Sequence, residues 1–140
     1  MYSLHPTLAN DCFLLGNFPL SQLLLMNDSQ YPWFILVPRR DNIREVYELS
    51  DEDQQQLNKE SSFLSKILAS EYTADKMNVA ALGNVVAQLH IHHIVRYKTD
   101  PSWPSPIWGK LAAVPYQNVE ETRNRILSLV GTTLEFAAID

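Results

Sequence analysis

The sequence predicts an α+β domain, and three observations point there. Short apolar runs bounded by Gly, Pro and Asn read as strands joined in hairpins. One long stretch repeats its apolar residues at helical spacing, and a second, shorter helical stretch lies near the end. With 140 residues and 46% hydrophobic composition, the chain can bury a core without disulfide or metal staples, and a single domain over 1–140 is expected.

Residues 13–16 and 20–26 read as two strands around a turn containing Asn17 and Pro19. A third strand, 33–37, is closed by Pro38, which has no amide hydrogen to give a ladder. Ser50 caps a long helix from Asp51 to about Tyr72, with an acidic first turn that suits the helix dipole and with Leu57, Leu64, Ile67, Leu68 and Tyr72 near helical spacing. Residues 76–81 and 88–96 form a second hairpin around a loop at Gly83, and 111–114 reads as a short strand. Residues 119–129 form the last helix, ended near Gly131. The proline-rich stretch 100–106, flanked by Trp108 and holding Trp103, reads as an ordered loop whose tryptophans fill a gap in the core.

Composition narrows the function. A formal net charge of −5 gives no broad basic field, so long nucleic acid is not an expected partner. Arg39, Arg40, Arg96 and Lys98 remain local positive groups for a small phosphorylated ligand. The lone Cys12 permits no internal disulfide and reads as a small apolar residue; a reducing cytoplasm is the expected compartment. Apolar runs such as 33–37 fall far short of the roughly 20 residues a membrane helix needs.

Chemistry concentrates in one run. Three of the four histidines, His90, His92 and His93, fall within Gln88-Leu89-His90-Ile91-His92-His93-Ile94-Val95. On a strand, Gln88, His90 and His92 share one face while Leu89, Ile91 and His93 share the other. Two histidines at i and i+2 could chelate zinc with help from elsewhere. No Cys pair or further His row completes such a set, and His5 sits in an N-terminal segment read as mobile, so neither metal nor cofactor is expected.

The run from Gly83 to Arg96, Gly-Asn-Val-Val-Ala-Gln-Leu-His-Ile-His-His-Ile-Val-Arg, resembles the signature of the histidine triad (HIT) superfamily. That signature alternates three histidines with apolar residues after a Gly-Gln pair and before an Arg. Gly83 and Asn84 take the Gly-Gln positions, Gln88, His90 and His92 the three histidine positions, and Arg96 the trailing Arg. Residues 23–40, ending Leu36-Val37-Pro38-Arg39-Arg40, resemble the family's ligand-binding hairpin. The matching core covers about 10–100, with a helical extension over about 101–140.

The resemblance implies a nucleotide-binding α+β fold with an antiparallel sheet of about five strands, usually a homodimer. It also implies attack on the α-phosphorus of a small-molecule nucleotide conjugate, a dinucleoside polyphosphate or nucleoside phosphoramidate. His90 is then the nucleophile that carries a nucleotidyl intermediate. His92, about 7 Å further along the face by strand rise, donates to phosphate oxygens. Asn84 and the amides around Gly83 and Val85 stabilise the developing charge; Asn27 resembles the ribose contact, and Arg96 belongs to the nucleotide-binding set. Two departures stand out. Gln88 cannot titrate, so it can only hydrogen-bond and orient, and Trp33 and Phe34 lie where some branches carry a further histidine. With no assigned proton donor, a polyphosphate leaving group is favoured. The alternative is a protein that binds nucleotide without turning it over.

Overall fold

The structure is a computed structural model and describes residues 1–132 and 134–139. Its elements run α1 (Pro6–Asp11), β1 (Cys12–Asn17), β2 (Ser21–Met26), β3 (Trp33–Pro38), α2 (Asp51–Glu71), β4 (Lys76–Ala80), β5 (Ile91–Arg96), α3 (Val119–Val130) and β6 (Ala137–Ala138). A one-turn 3-10 helix, Val46–Glu48, precedes α2. The six strands form one sheet in the order β4-β5-β3-β2-β1-β6, antiparallel throughout. The α+β class and antiparallel sheet agree with the expectation, with six strands in place of about five.

Both faces of the sheet are covered, which is why its central strands read as unbroken apolar runs rather than alternating ones. Leu23, Leu25, Phe34, Leu36 and Val95 face α2 and α3, meeting Leu64, Leu68, Ile126 and Val130. On the opposite face Leu24, Ile35 and Val37 meet Leu8 of α1, with Tyr2 and Leu4 packed beside them. The register pairs Ile35 with His92 and Phe34 with His93. Alternation therefore sends His92 to the face that α1 covers and His93 to the face that α2 covers.

Helix α2 is held by more than its apolar stripe. The Ser50 hydroxyl oxygen accepts from the Asp53 amide at 3.1 Å, completing the N-cap. Glu60 falls in the buried stripe with Leu57, Leu64 and Leu68. Its oxygens accept from the amides of Leu20 at 2.8 Å and Ser21 at 3.0 Å, and from the Gln56 amide group at 2.8 Å. The helix is thereby pinned to the turn between β1 and β2.

Three local expectations change, and one strand is new. The histidine strand begins at Ile91 rather than residue 88, because the Leu89 amide turns away to donate to the Ile43 carbonyl at 2.9 Å. Residues 111–114 form no strand. The Ser29 amide does donate to the Val114 carbonyl, but Asp28 and Gln30 meet this segment through their side chains, which builds no ladder. The N-terminal segment is fixed: His5 Nδ1 accepts from the Thr7 amide at 3.1 Å and Pro6 opens α1. Proline at a first helical position was the available signal for that helix. Finally, β6 pairs with β1 at Gly16, where an added Cβ would run into Ala137 and the Phe136 ring.

Replacing Glu60 with Ala orphans two buried backbone amides, each costing about 1–3 kcal/mol. We expect urea denaturation to show a loss of about 2–5 kcal/mol, and Glu60→Gln to lose less.

Candidate active site

His90 and His92 line one cavity of about 290 Å³, together with Thr7, Leu8, Asp11, Met26, Trp33, Gly83, Asn84, Val85, Val86 and Trp108. Their rings lie 4.9 Å apart at 70°. Both are nearly buried, at 6% and 5% exposure, yet they open on this cavity rather than on a sealed interior.

Neighbours fix the tautomer of each ring. His90 Nδ1 lies 2.7 Å from the Gln88 carbonyl oxygen. A carbonyl only accepts, so this nitrogen carries the hydrogen and, in the neutral ring, Nε2 keeps a bare lone pair. For His92 the pattern is reversed: Trp33 Nε1 donates to its Nδ1 at 3.0 Å. Indole nitrogen is donor only, so neutral His92 holds its hydrogen on Nε2 and presents it as a donor. Trp108 packs edge-on against both His92 and Trp33, at 5.1 Å and 6.3 Å. The site thus sets a ring nitrogen with a free lone pair beside a neutral N–H donor.

Electrostatics agree. Burial pushes the His92 ring down to about 3, reinforced by the facing His90 and by His93, its neighbour along the strand. Burial also pushes His93 down to about 4, partly offset by backbone hydrogen bonds at Ile91 and Phe34. His93 points away from the cavity, where its Nε2 and the Ser61 hydroxyl of α2 lie 2.8 Å apart. A metal bridging His90 and His92 would need two bare nitrogens, and the tautomers leave one. Among the described residues, no group of three or more His, Cys, Asp or Glu side chains is placed to hold a metal ion. Burial likewise pushes the Cys12 thiol up to about 12, which suits a packing role.

The structure gathers some of the expected residues and separates others. Gly83, Asn84 and Val85 lie on the cavity wall. Gly83 has φ +79°, a conformation that favours glycine and turns the loop toward the histidines. Gln88 does not line the cavity through its side chain; it reaches the site through its carbonyl. Asn27 is also off the wall, with its Oδ1 accepting from the Tyr116 amide at 2.9 Å. Arg96 is a buried structural cation, bonded through Nε to Asp100 at 2.7 Å and through Nη1 to Asn78 at 2.7 Å. It points away because it sits at the end of β5, where the following loop supplies its carboxylate. Arg39 is spent on the carbonyls of Phe18, Pro19 and Leu20, and Arg40 on Asp53. Trp108 is a cavity residue rather than a core filler, while Trp103 lies over Arg96. Asp11 and Leu8 are cavity residues that sequence reasoning missed, because their helix was not foreseen.

The comparisons with known proteins bear on this geometry. The HIT domain model matches residues 7–99, and the chain belongs to that family. A solved histidine triad protein from Marinobacter aquaeolei is 51% identical, with TM-score 0.91 over 94% of this chain and 97% of that one. Histidine triad proteins from Bradyrhizobium japonicum and Sinorhizobium meliloti are 41% and 40% identical, with TM-scores of 0.88 and 0.89. The first covers 93% of this chain and 96% of its own, the second 92% and 97%. No curated protein matches the chain.

Two outcomes follow from the site's hydrogen bonds and charges. Removing the indole donor with Trp33→Phe frees His92 Nδ1, so an NMR titration should show its ring moving up from about 3 yet staying well below 6.5, because burial, the main cause of the depression, remains; an unmoved ring would leave Trp33 without this effect. For stability, unfolded His93 binds a proton near 6.5 whereas the folded ring does so only near 4. Stability is therefore full above about pH 6.5 and falls as pH drops toward about 4, by about 1.4 kcal/mol per unit for this histidine. Urea midpoints measured across that window should fall less steeply in His93→Gln.

Proposed function

We propose that the protein is a nucleotidyl hydrolase or transferase that acts at the α-phosphorus of a small-molecule nucleotide conjugate. The observation that carries this reading is the tautomer pair: a bare Nε2 on His90 beside an Nε2–H on His92, both on one cavity. His90 Nε2 attacks phosphorus, an N–P bond forms, and the P–O bond to the leaving group breaks with its electron pair. Water then displaces the imidazole, releasing the mononucleotide and restoring the lone pair. Splitting one displacement into two lowers each barrier. To His92 Nε2–H and the Asn84 amide, both on the cavity, we assign the charge that develops on the non-bridging oxygens, since fixed donors there act on the transition state more than on binding.

His92 stays neutral at working pH and is not a general acid. The leaving group must then depart without strong proton donation, which favours a polyphosphate over an amine. A dinucleoside polyphosphate is accordingly the preferred substrate class. The family resemblance further supports a homodimer, and the lone Cys12 fits a reducing cytoplasm.

A panel of nucleotides and dinucleotides, assayed for mononucleotide release, tests the proposal. His90→Ala should lose at least about a thousandfold in kcat while still binding nucleotide, and parent protein denatured in alkali during turnover, where a histidine N–P bond survives, should carry a phosphoramidate on His90. Undiminished turnover in His90→Ala would reject the mechanism. Binding without any turnover by the parent would support a non-catalytic nucleotide-binding protein instead.

A further inference from the structure

Gln88 stands where the family resemblance places a histidine, and its side chain has a different job from that of a titrating group. Its Oε1 accepts from the His5 amide at 2.8 Å, and its Nε2 donates to the Ser3 carbonyl at 2.9 Å. One planar amide thus grips a donor and an acceptor two residues apart on the N-terminal arm, as a neighbouring strand would. Imidazole cannot copy this, because its two nitrogens diverge whereas the oxygen and nitrogen of an amide share one edge.

What the grip holds matters for the site. His5 caps α1 through the Thr7 amide, and α1 carries Thr7, Leu8 and Asp11 to the cavity wall. The carbonyl of Gln88 meanwhile holds His90 Nδ1–H. The same residue is therefore joined to the arm by its side chain and to the nucleophile by its backbone.

We infer that Gln88 is a positioning residue: it clamps the N-terminal arm so that α1 forms the nucleoside-facing wall of the cavity. This rests on the reading of the cavity as a nucleotide site. The exchange of an acid–base histidine for an amide then changes substrate recognition rather than the reacting atoms, because the carbonyl that orients His90 is common to every residue type.

The test uses Gln88→Ala and Gln88→His in the full chain. Amide hydrogen exchange in the ligand-free protein should become about tenfold faster at His5 and along α1 in both variants, with protection in β5 kept as evidence of folding. For the nucleotide that the parent turns over, KM should rise about threefold to tenfold, with the change falling on KM rather than kcat. Unchanged exchange of the arm in Gln88→Ala, or full protection in Gln88→His, would overturn the clamp. So would a fall in kcat at constant KM. Exchange is read without nucleotide, so a parent protein that turns over no nucleotide would defeat the functional reading while the arm measurement still judged the clamp.

Discussion

The buried ion pair between Arg96 and Asp100 is the constraint on which the site's architecture depends. Arg96 ends β5, and its guanidinium meets Asp100 twice, at 2.7 and 3.1 Å, while also donating to Asn78 of β4 and to the Ser105 carbonyl. The two side chains are 1% and 4% exposed. At that depth an unpaired charge is costly, so the pair and its hydrogen bonds form together or not at all. The loop after β5 is consequently folded back on the strand that bears the histidines, with Tyr31 and Trp103 near the guanidinium. That fold-back brings Trp108 against His92.

Trp108, Trp33 and His92 then act as one unit. Aromatic walls cover much of the His92 ring, and the Trp33 donor occupies the one nitrogen through which the neutral ring could take a proton. Exclusion of water and fixed donors strengthen electrostatic interactions at the same place. The result is a neutral N–H donor on His92 beside the His90 ring, set by packing and hydrogen bonding rather than by any opposing charge. His93 shows the same principle on the other face, where it is a buried neutral ring joined to α2 through Ser61.

Much of this was legible in the chain. The order of strands and helices, the cap at Ser50, and the placing of His90 and His92 on one face follow from local rules of spacing and alternation. The cavity loop at Gly83 could be read too, since its glycine marks a turn. Arg96 and Asn27 were not, because a charge or amide close to a ligand motif looks the same in sequence whether it faces a ligand or an internal partner. The carboxylate that claims Arg96 lies only four residues on, yet nothing local says that both will be buried. The N-terminal arm was missed for a similar reason: six residues of helix have little intrinsic stability, and this one exists because Leu8 and Leu4 find the sheet.

By itself, the sequence determined the types of the main strands and helices, the face on which each histidine of the run lies, and the family to which the motif belongs. These depend on neighbours in the chain, where periodicity and capping act. Only the tertiary structure decided which nitrogen of each ring is bare, which cations are already satisfied, and which segment walls the cavity. Those properties depend on contacts such as Trp33 with His92 and Gln88 with His5, made between residues 59 and 83 positions apart. Burial turns such contacts into chemistry, since it is the removal of water that makes a single donor or acceptor decisive.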